Sequence, residues 1–151
     1  MFITRATYTG NLGGVLGADA KCRQAAQNAG LKGLFVAFLS DSTHSAASRI
    51  AGNGPWVNMK GEELFGAAAS SWTGFPKTAI RYDESGNWQM TDYWTGSKQG
   101  SIPASNTCEN WFSEEPEGQV GTGSWADKLW VTSALGIPCD FERALLCAEI
   151  R

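Results

Sequence analysis

Residues 17–40 read GADAKCRQAAQNAGLKGLFVAFLS and combine the signature of a helix with that of a strand. Small and apolar residues recur at the spacing of one helical face, namely Ala18, Cys22, Ala25, Ala26 and Ala29. This spacing predicts a helix over 17–28, with Asp19 complementing the helix dipole near its start and Gly30 ending it. The run 34–39 is too short for a buried helix and rich in branched and aromatic residues, so it predicts a strand.

Working outward from this stretch, the chain alternates between short apolar segments and turns. A first strand is predicted over 3–8, and a second helix over 45–50, capped by Asp41 or Ser42. Asp83-Glu84-Ser85-Gly86 predicts a hairpin turn between strands 80–82 and 87–90. Further strands are predicted over 56–59, 93–96, 108–112, 128–131 and 141–150, a polar acidic loop over 113–124, and a short helix or irregular segment over 62–71.

Length and composition bound the class of protein. The chain has 151 residues and a mass of 16.2 kDa, the size of one domain. Its 18 glycines and 7 tryptophans favour a loop-rich fold containing strands over a helical bundle. A net charge of −3 argues against nucleic-acid binding, which needs a basic face. No apolar run approaches ~20 residues, so no insertion into a membrane is expected.

The ends and the charge distribution leave alternatives open. The first residues lack the basic and apolar regions of a signal peptide, which fits either a cytoplasmic protein or a domain cut from a longer chain. Residues 76–151 carry 6 basic and 11 acidic side chains, a net charge of −5. The acidic side chains cluster at Glu109, Glu114, Glu115 and Glu117. This cluster is either a solvated loop or a site for a cation or a basic partner.

The four cysteines are Cys22, Cys108, Cys139 and Cys147. None forms a C-x-x-C pair, and His44 is the only histidine, so a zinc site is poorly supported. An even number of cysteines in a chain of this composition favours two disulfides and an oxidising compartment. Four buried thiols in a cytosolic protein are the alternative, and three disulfide pairings remain open.

A family resemblance emerges when these segments are taken in order. The stretch 17–40, the blocks 57–60 and 63–65, Tyr93-Trp94-Thr95-Gly96-Ser97, Cys108-Glu109-Asn110-Trp111, Cys139 and Leu146-Cys147-Ala148-Glu149 resemble an endostatin domain, the C-terminal piece of collagens XV and XVIII. The resemblance covers nearly the whole chain. The segment 8–14 also resembles a bacterial domain of unknown function found in surface and secreted proteins.

The resemblance implies an α+β fold of the C-type-lectin-like class. Such a fold has a mixed twisted sheet, two short helices, long loops and two nested disulfides, here Cys22–Cys147 and Cys108–Cys139. It also implies that residues 1–151 form a single domain, the C-terminal head of a longer surface or secreted protein. Such a head, at the tip of a trimeric fibre, would be a monomer on its own or form a weak homotrimer.

Several functional residues of the resembled families are absent from this chain. It has no N-terminal histidines for zinc and no arginine-rich face for heparin. The calcium-binding triplets of C-type lectins are missing between Trp94 and Cys108. Only partial matches to these triplets occur, at the shifted positions Glu115-Pro116-Glu117 and Trp125-Ala126-Asp127. We therefore expect no cofactor, with Ca²⁺ held by the acidic loop as the alternative.

Binding fits the residues better than catalysis does. A nucleophile needs a base within reach, and His44 lies in a polar helix start, so no enzyme activity is expected. Tryptophan offers a flat apolar face and a polar edge, which suits sugar rings and protein contacts. The predicted contact surface lies in the segment 110–130 and consists of Asn110, Trp111, Glu114, Glu115, Glu117, Trp125, Asp127 and Trp130.

These observations predict an extracellular recognition and adhesion domain. Its expected partner is a glycan or an envelope component of another cell, and nucleic acid is not expected. The alternative is a protein-binding or oligomerising cap without a sugar site. Whether Trp111, Trp125 and Trp130 lie together around a concavity, or are buried, distinguishes the two.

Overall fold

The computed structural model describes residues 1–50, 52–67, 72 and 74–150, with the side chain of residue 135 left out. The strands are β1 (Phe2–Ile3), β2 (Leu34–Ala37), β3 (Trp56–Val57), β4 (Glu63–Phe65), β5 (Asp92–Trp94), β6 (Ser97–Lys98), β7 (Ile102–Pro103), β8 (Glu117–Thr122), β9 (Ala134–Pro138) and β10 (Ala144–Ile150). The helices are α1 (Gly14–Asn28) and α2 (Ala46–Arg49), and single tight turns cover Gln99–Ser101, Cys108–Trp111 and Lys128–Trp130.

The helix and strand predicted within 17–40 are both present. Helix α1 begins three residues before the predicted start and ends as predicted, with Gly30 in the left-handed conformation at φ 71°. Ala18, Cys22 and Ala26 lie on its buried face. Strand β2 follows and pairs with the end of β10 in an antiparallel register that sets Ala37 opposite Cys147.

Strand β10 organises the main sheet. It pairs antiparallel with β1 and β2 and parallel with β5, and the sheet continues through β8 to β9. The structure is therefore a mixed sheet with few helices, an α+β arrangement. Phe2 lies opposite Cys147 and Ile3 opposite Leu146, so neighbouring side chains alternate between the two faces.

Both faces of this sheet are buried. On one face, α1 packs against Phe2, Leu145, Trp94 and Trp111. The other face carries an aromatic cluster in which the rings of Phe38, Phe65, Trp56, Trp72 and Trp130 pack at centroid distances of 4.5–5.4 Å. Five of the seven tryptophans belong to these two cores, because Trp94 and Trp111 lie in the first and the other three in the second.

Two disulfides close the fold. Cys22 of α1 is bonded to Cys147 of β10, and Cys108 is bonded to Cys139. This is the nested pairing that the endostatin resemblance implied, and the alternative of four free thiols is wrong. The first bond ties the helix to the central strand, and the second holds the turn Cys108–Trp111 against the segment after β9.

Several predicted elements are wrong, and tertiary contacts explain why. The predicted strand 108–112 is a left-handed turn, in which φ is 48°, 53°, 58° and 69° from Cys108 to Trp111. The Cys108 disulfide and the hydrogen bond from Leu12 N–H to the Trp111 carbonyl hold it. Within 128–131 a tight turn replaces the predicted strand, because the Asp127 carboxylate accepts from Leu129 N–H.

The predicted loop 113–124 contains strand β8. The glycines of this segment suggest a loop, but in the structure they allow other groups to pack closely against β8. A Cβ on Gly118 would lie 2.6 Å from the Trp94 ring, and one on Gly121 would lie 2.2 Å from the Trp130 carbonyl oxygen. Within the predicted segment 62–71, the described part is strand β4, and residues 68–71 lie outside the described residues.

Smaller differences concern element ends and caps. The first strand is confined to β1, and Tyr8 forms only a single bridge to Arg143. Ser45, rather than Asp41 or Ser42, caps α2 by accepting from Ser48 N–H. The predicted hairpin at 80–90 is a compact turn with one bridge, between Tyr82 and Trp88.

The sequence suggested that Asp19 complements the helix dipole near the start of α1, but its carboxylate has a different role. It is buried, accepts a hydrogen bond from Ala37 N–H at 2.9 Å and pairs through both carboxylate oxygens with Arg49 at 2.7 Å. Arg49 also donates to the carbonyls of Ala37 and Leu39. This buried ion pair joins α1, β2 and α2.

Candidate functional site

The tryptophans of the predicted contact surface separate into two groups. Trp111 and Trp130 are buried, at 0% and 1% exposure, whereas Trp125 is 61% exposed. The Trp111 indole N–H donates to the Ser40 carbonyl, and that of Trp130 donates to the Gly74 carbonyl. The prediction that these two side chains contact a ligand is therefore corrected, because both faces and the polar edge of each ring already serve the core.

The acidic residues do not converge on one point. Glu114 accepts from the Thr9 hydroxyl at 3.0 Å, and Asp127 accepts from Leu129 N–H. Glu114 and Glu115 line a shallow acidic depression with Asp140, whereas Glu117 lines a different one beside Glu109. Among the described residues, no group of three or more His, Cys, Asp or Glu side chains could hold a metal ion.

Asn110 is engaged within the protein. It lies in the left-handed turn at φ 58°, and its side-chain oxygen accepts from Ser42 N–H at 2.8 Å. Asparagine tolerates this conformation better than most residues do. Its side chain joins the turn to the loop after β2, and Asn110 borders two small depressions, of about 300 and 260 Å³.

The two exposed tryptophans line a single cleft. Trp88 and Trp125 are each 61% exposed and face a cavity of about 420 Å³. Met90, 69% exposed, adds an apolar side chain to the same cavity. The remaining lining residues are Lys77, Thr78, Ala79, Arg81, Ser124 and Ala126. The cleft thus combines two indole faces with basic and hydroxyl side chains at its edge.

The turn that carries Trp88 is built around Asp83. Its carboxylate accepts hydrogen bonds from the N–H groups of Ser85 and Asn87, and from the Arg5 guanidinium at 2.9 and 3.0 Å. Burial alone would raise the pKa of Asp83, but these hydrogen bonds outweigh burial and hold that pKa below its ordinary value. The charged carboxylate therefore fixes the turn from which Trp88 projects.

Trp125 reaches the cleft from the other side, just after β8. Arg81 N–H donates to the Gly123 carbonyl at 3.2 Å, which joins the loop after β8 to the base of the Trp88 turn. A Cβ at Gly123 would lie 2.5 Å from Ile3 Cδ1 and 3.1 Å from Arg81 N. A side chain here would displace Ile3 or the Arg81 backbone, so the close approach favours glycine.

The charge of the cleft is positive. The Arg81 guanidinium lies over the Trp88 ring, 5.1 Å from its centroid, and Lys77 is paired with Glu63. Among the residues that the structure describes, no acidic side chain lines the cavity. Tryptophan faces with cationic and hydroxyl donors at their edges can stack on an apolar ring face and donate hydrogen bonds to its polar substituents.

The predicted contact surface left out Trp88, Arg81 and Met90. All three lie in or beside the predicted hairpin at 80–90. The available signal was the shortness of that hairpin, since a tryptophan beside a tight polar turn has little core to enter. Its proximity to Trp125 could not be predicted, because it depends on the contact between Arg81 and Gly123.

Comparisons with known proteins support the resemblance. Residues 5–72 match a family model described as a protein of unknown function (DUF1554). The chain is also similar to the human collagen alpha-1(XVIII) chain, at 33% identity over 166 residues that cover 93% of this chain. It spans only 9% of the length of that collagen chain. This similarity fits the endostatin-like relationship suggested by the sequence.

In the described part of the chain, no helix combines the length and apolar character that crossing a membrane requires.

Proposed function

We propose that this chain is an extracellular recognition and adhesion domain that binds a glycan by stacking it on Trp88 and Trp125. One observation carries the proposal. Of seven tryptophans, five belong to the cores, and the two exposed ones line the same cleft. An indole in water forgoes the burial that stabilises the other five, so two such side chains in one concavity indicate a binding surface.

The proposed binding mode uses the two indoles as platforms. A sugar ring has an apolar face of C–H groups and an edge of hydroxyls. The cleft offers two aromatic faces and, at its rim, the Thr78 and Ser124 hydroxyls and the Arg81 guanidinium. Stacking would supply most of the affinity, and the rim would select among sugars. No step requires a metal ion or a bond-breaking reaction, so the proposal is binding without turnover.

The setting of the domain is also part of the proposal. Two disulfides are consistent with an extracellular domain, since such bonds persist in oxidising compartments. The similarity to a collagen chain supports a C-type-lectin-like head, and we place it at the end of a bacterial surface protein or trimeric fibre. The glycan would then belong to the envelope of another cell.

A glycan array spanning bacterial and host sugars, probed with calcium and with EDTA, tests this function. We expect binding that resists EDTA. Trp88→Ala and Trp125→Ala should each weaken it by roughly 5- to 150-fold, which corresponds to about 1–3 kcal/mol of stacking per ring. Phe141→Ala is the matched control, because Phe141 is 51% exposed but does not line the cleft.

Three results of the array would each contradict a different part of this proposal. Binding that EDTA abolishes would contradict the stacking mode and favour a calcium site in the acidic loop. Binding that survives loss of both tryptophans would place the glycan elsewhere and refute the cleft. A folded protein with intact disulfides that binds no glycan would refute the function.

The alternative of a protein-binding or oligomerising cap has one observation in its favour. Leu16 and Phe112, 75% and 65% exposed, line a common depression of about 300 Å³ whose described lining includes no residue of the cleft. We assign this surface to a second copy of the chain if the glycan array is negative. Sedimentation at increasing concentration would then show a mass above that of the monomer, which Leu16→Ser would lower.

A further inference from the structure

A second cavity lies beside strand β8. It measures about 550 Å³ and is bordered by β6, β8, the turn Lys128–Trp130 and the start of β9. Its lining residues are Lys98, Gln99, Gln119, Lys128, Leu129, Thr132, Ser133 and Ala134. None of them lines the cleft between Trp88 and Trp125, so this cavity is independent of the proposed glycan site.

The cavity concentrates positive charge in an acidic protein. Lys98 and Lys128 both line it, and no acidic side chain of the described residues does. In the described part of the chain, neither lysine forms an ion pair. Two unpaired ammonium groups complement a dianion, and a phosphate monoester carries about −1.5 to −2 at pH 7. A planar carboxylate is typically held by the fork of an arginine, and no arginine in the described part of the chain lines this cavity.

The floor of the cavity contains a polar atom that the protein does not use. Gln119 is 5% exposed, and its side-chain NH₂ donates to the carbonyls of Ala134 and Val120. Its backbone N–H donates to the Asn106 carbonyl, and its backbone carbonyl accepts from Thr95 N–H. The side-chain oxygen Oε1 receives no hydrogen bond from the described residues, and no fully buried side-chain N or O atom among them lacks a partner, so Oε1 is open to the cavity. An accessible amide oxygen of this kind can accept a hydrogen bond from a ligand hydroxyl.

The remaining wall suits a short carbon skeleton. Leu129 and Ala134 present apolar surface, and the Thr132 and Ser133 hydroxyls, which donate to the carbonyls of Ser97 and Val120, retain lone pairs that can accept. The cavity therefore joins a dianion site, a hydroxyl acceptor and an apolar wall. From this juxtaposition we infer that the cavity is a second ligand site, which binds a polyol or sugar phosphate.

Nuclear magnetic resonance of the ¹⁵N-labelled protein tests the inference directly. The probes are glycerol 3-phosphate, glycerol and inorganic phosphate. Glycerol 3-phosphate should saturably shift the side-chain NH₂ signals of Gln119 and the backbone amides of Thr132 and Ser133. Glycerol should leave these signals unchanged, because the charge is missing, and inorganic phosphate should bind more weakly, because it lacks the polyol hydroxyls.

Variants at the surface of the cavity keep the test independent of folding. The double substitution K98Q/K128Q should raise the Kd for glycerol 3-phosphate by roughly 4- to 25-fold, as expected for two exposed charge contacts. R23Q/K32Q removes the same charge outside the cavity and should change the Kd less than about 2-fold.

Three results would overturn the inference. They are shifts confined to amides outside the cavity, an equal effect of the two double variants, or inorganic phosphate binding as tightly as glycerol 3-phosphate. A poly(glycerol phosphate) chain, whose internal phosphates carry one charge each, identifies the source. Tighter binding of the polymer indicates a cell-envelope ligand, and tighter binding of the monomer indicates a free metabolite.

Discussion

The buried ion pair between Asp19 and Arg49 allows a quantitative prediction about stability. Their side chains are only 8% and 12% exposed, and the guanidinium meets both carboxylate oxygens at 2.7 Å. Asp19→Asn preserves the shape of the side chain but removes its charge and turns an NH₂ group toward the guanidinium. A buried cation then loses its partner, which costs about 3–5 kcal/mol in comparable cases.

The exposed pair between Lys77 and Glu63 provides a matched control. These side chains are 63% and 40% exposed, and the substitution Glu63→Gln makes the same chemical change as Asp19→Asn. Exposed pairs contribute about 0–1 kcal/mol because water screens them. The two isosteric substitutions therefore differ mainly in burial, and we expect the cost at Asp19 to be several times the cost at Glu63.

Guanidinium chloride unfolding of the disulfide-bonded protein measures both free energies. Asp19→Asn should lower the free energy of unfolding by about 3–5 kcal/mol and the Tm by about 6–20 °C. The slope of the transition should stay unchanged, so that the difference reflects stability rather than a changed denatured state. A cost at Asp19 no larger than that at Glu63 would refute the assignment of a buried, paired charge.

Two further predictions concern the disulfides and the Trp88 turn. The bonds Cys22–Cys147 and Cys108–Cys139 close loops of 125 and 31 residues. By chain entropy, replacing the two cysteines of one bond by alanine should lower the free energy of unfolding by about 5 kcal/mol for the first bond and about 4 kcal/mol for the second. A larger loss for the second bond in denaturant unfolding would contradict this ordering. The lowered pKa of Asp83 means that its contribution to stability is complete above about pH 3.9 and is lost as the pH falls through the lower folded value. Asp83→Asn should therefore be less stable than the natural chain at pH 7, and the difference should shrink at pH 2; a difference independent of pH would argue against a charged Asp83.

Sequence patterns predicted the elements whose residues follow a regular local pattern. Helix α1 follows from periodicity and from Gly30, because it buries one regular face, and strand β2 follows from a short apolar run, because three consecutive residues of it are buried. The pairing of the cysteines followed only from a resemblance, since the positions of four cysteines leave three pairings open. Residue spacing therefore recovered local structure, and the resemblance supplied the disulfide pairing.

The failures share a physical cause. Strand β8 contains Gly118 and Gly121 because an aromatic ring and a carbonyl oxygen lie where their Cβ atoms would be. Composition alone therefore indicated a loop. The turn Cys108–Trp111 adopts left-handed angles that no propensity favours, and a disulfide and long-range hydrogen bonds hold it. In each case contacts distant in sequence outweigh the local preference.

The candidate cleft also depends on contacts between residues distant in sequence, and these contacts affect how it would bind a ligand. Trp88 and Trp125 come from separate loops, but both loops are attached to the sheet. Ile3 N–H of β1 donates to the Tyr82 carbonyl at 2.9 Å, and Arg81 N–H donates to Gly123, just after β8. The backbones that carry the two indoles are thus joined before any ligand arrives, which would lower the ordering entropy that opposes binding. Gly123→Ala retains both tryptophans but places a Cβ 2.5 Å from Ile3 Cδ1 and 3.1 Å from Arg81 N. We expect it to shift the two loops and weaken glycan binding, whereas a cleft that forms only around its ligand would tolerate that change.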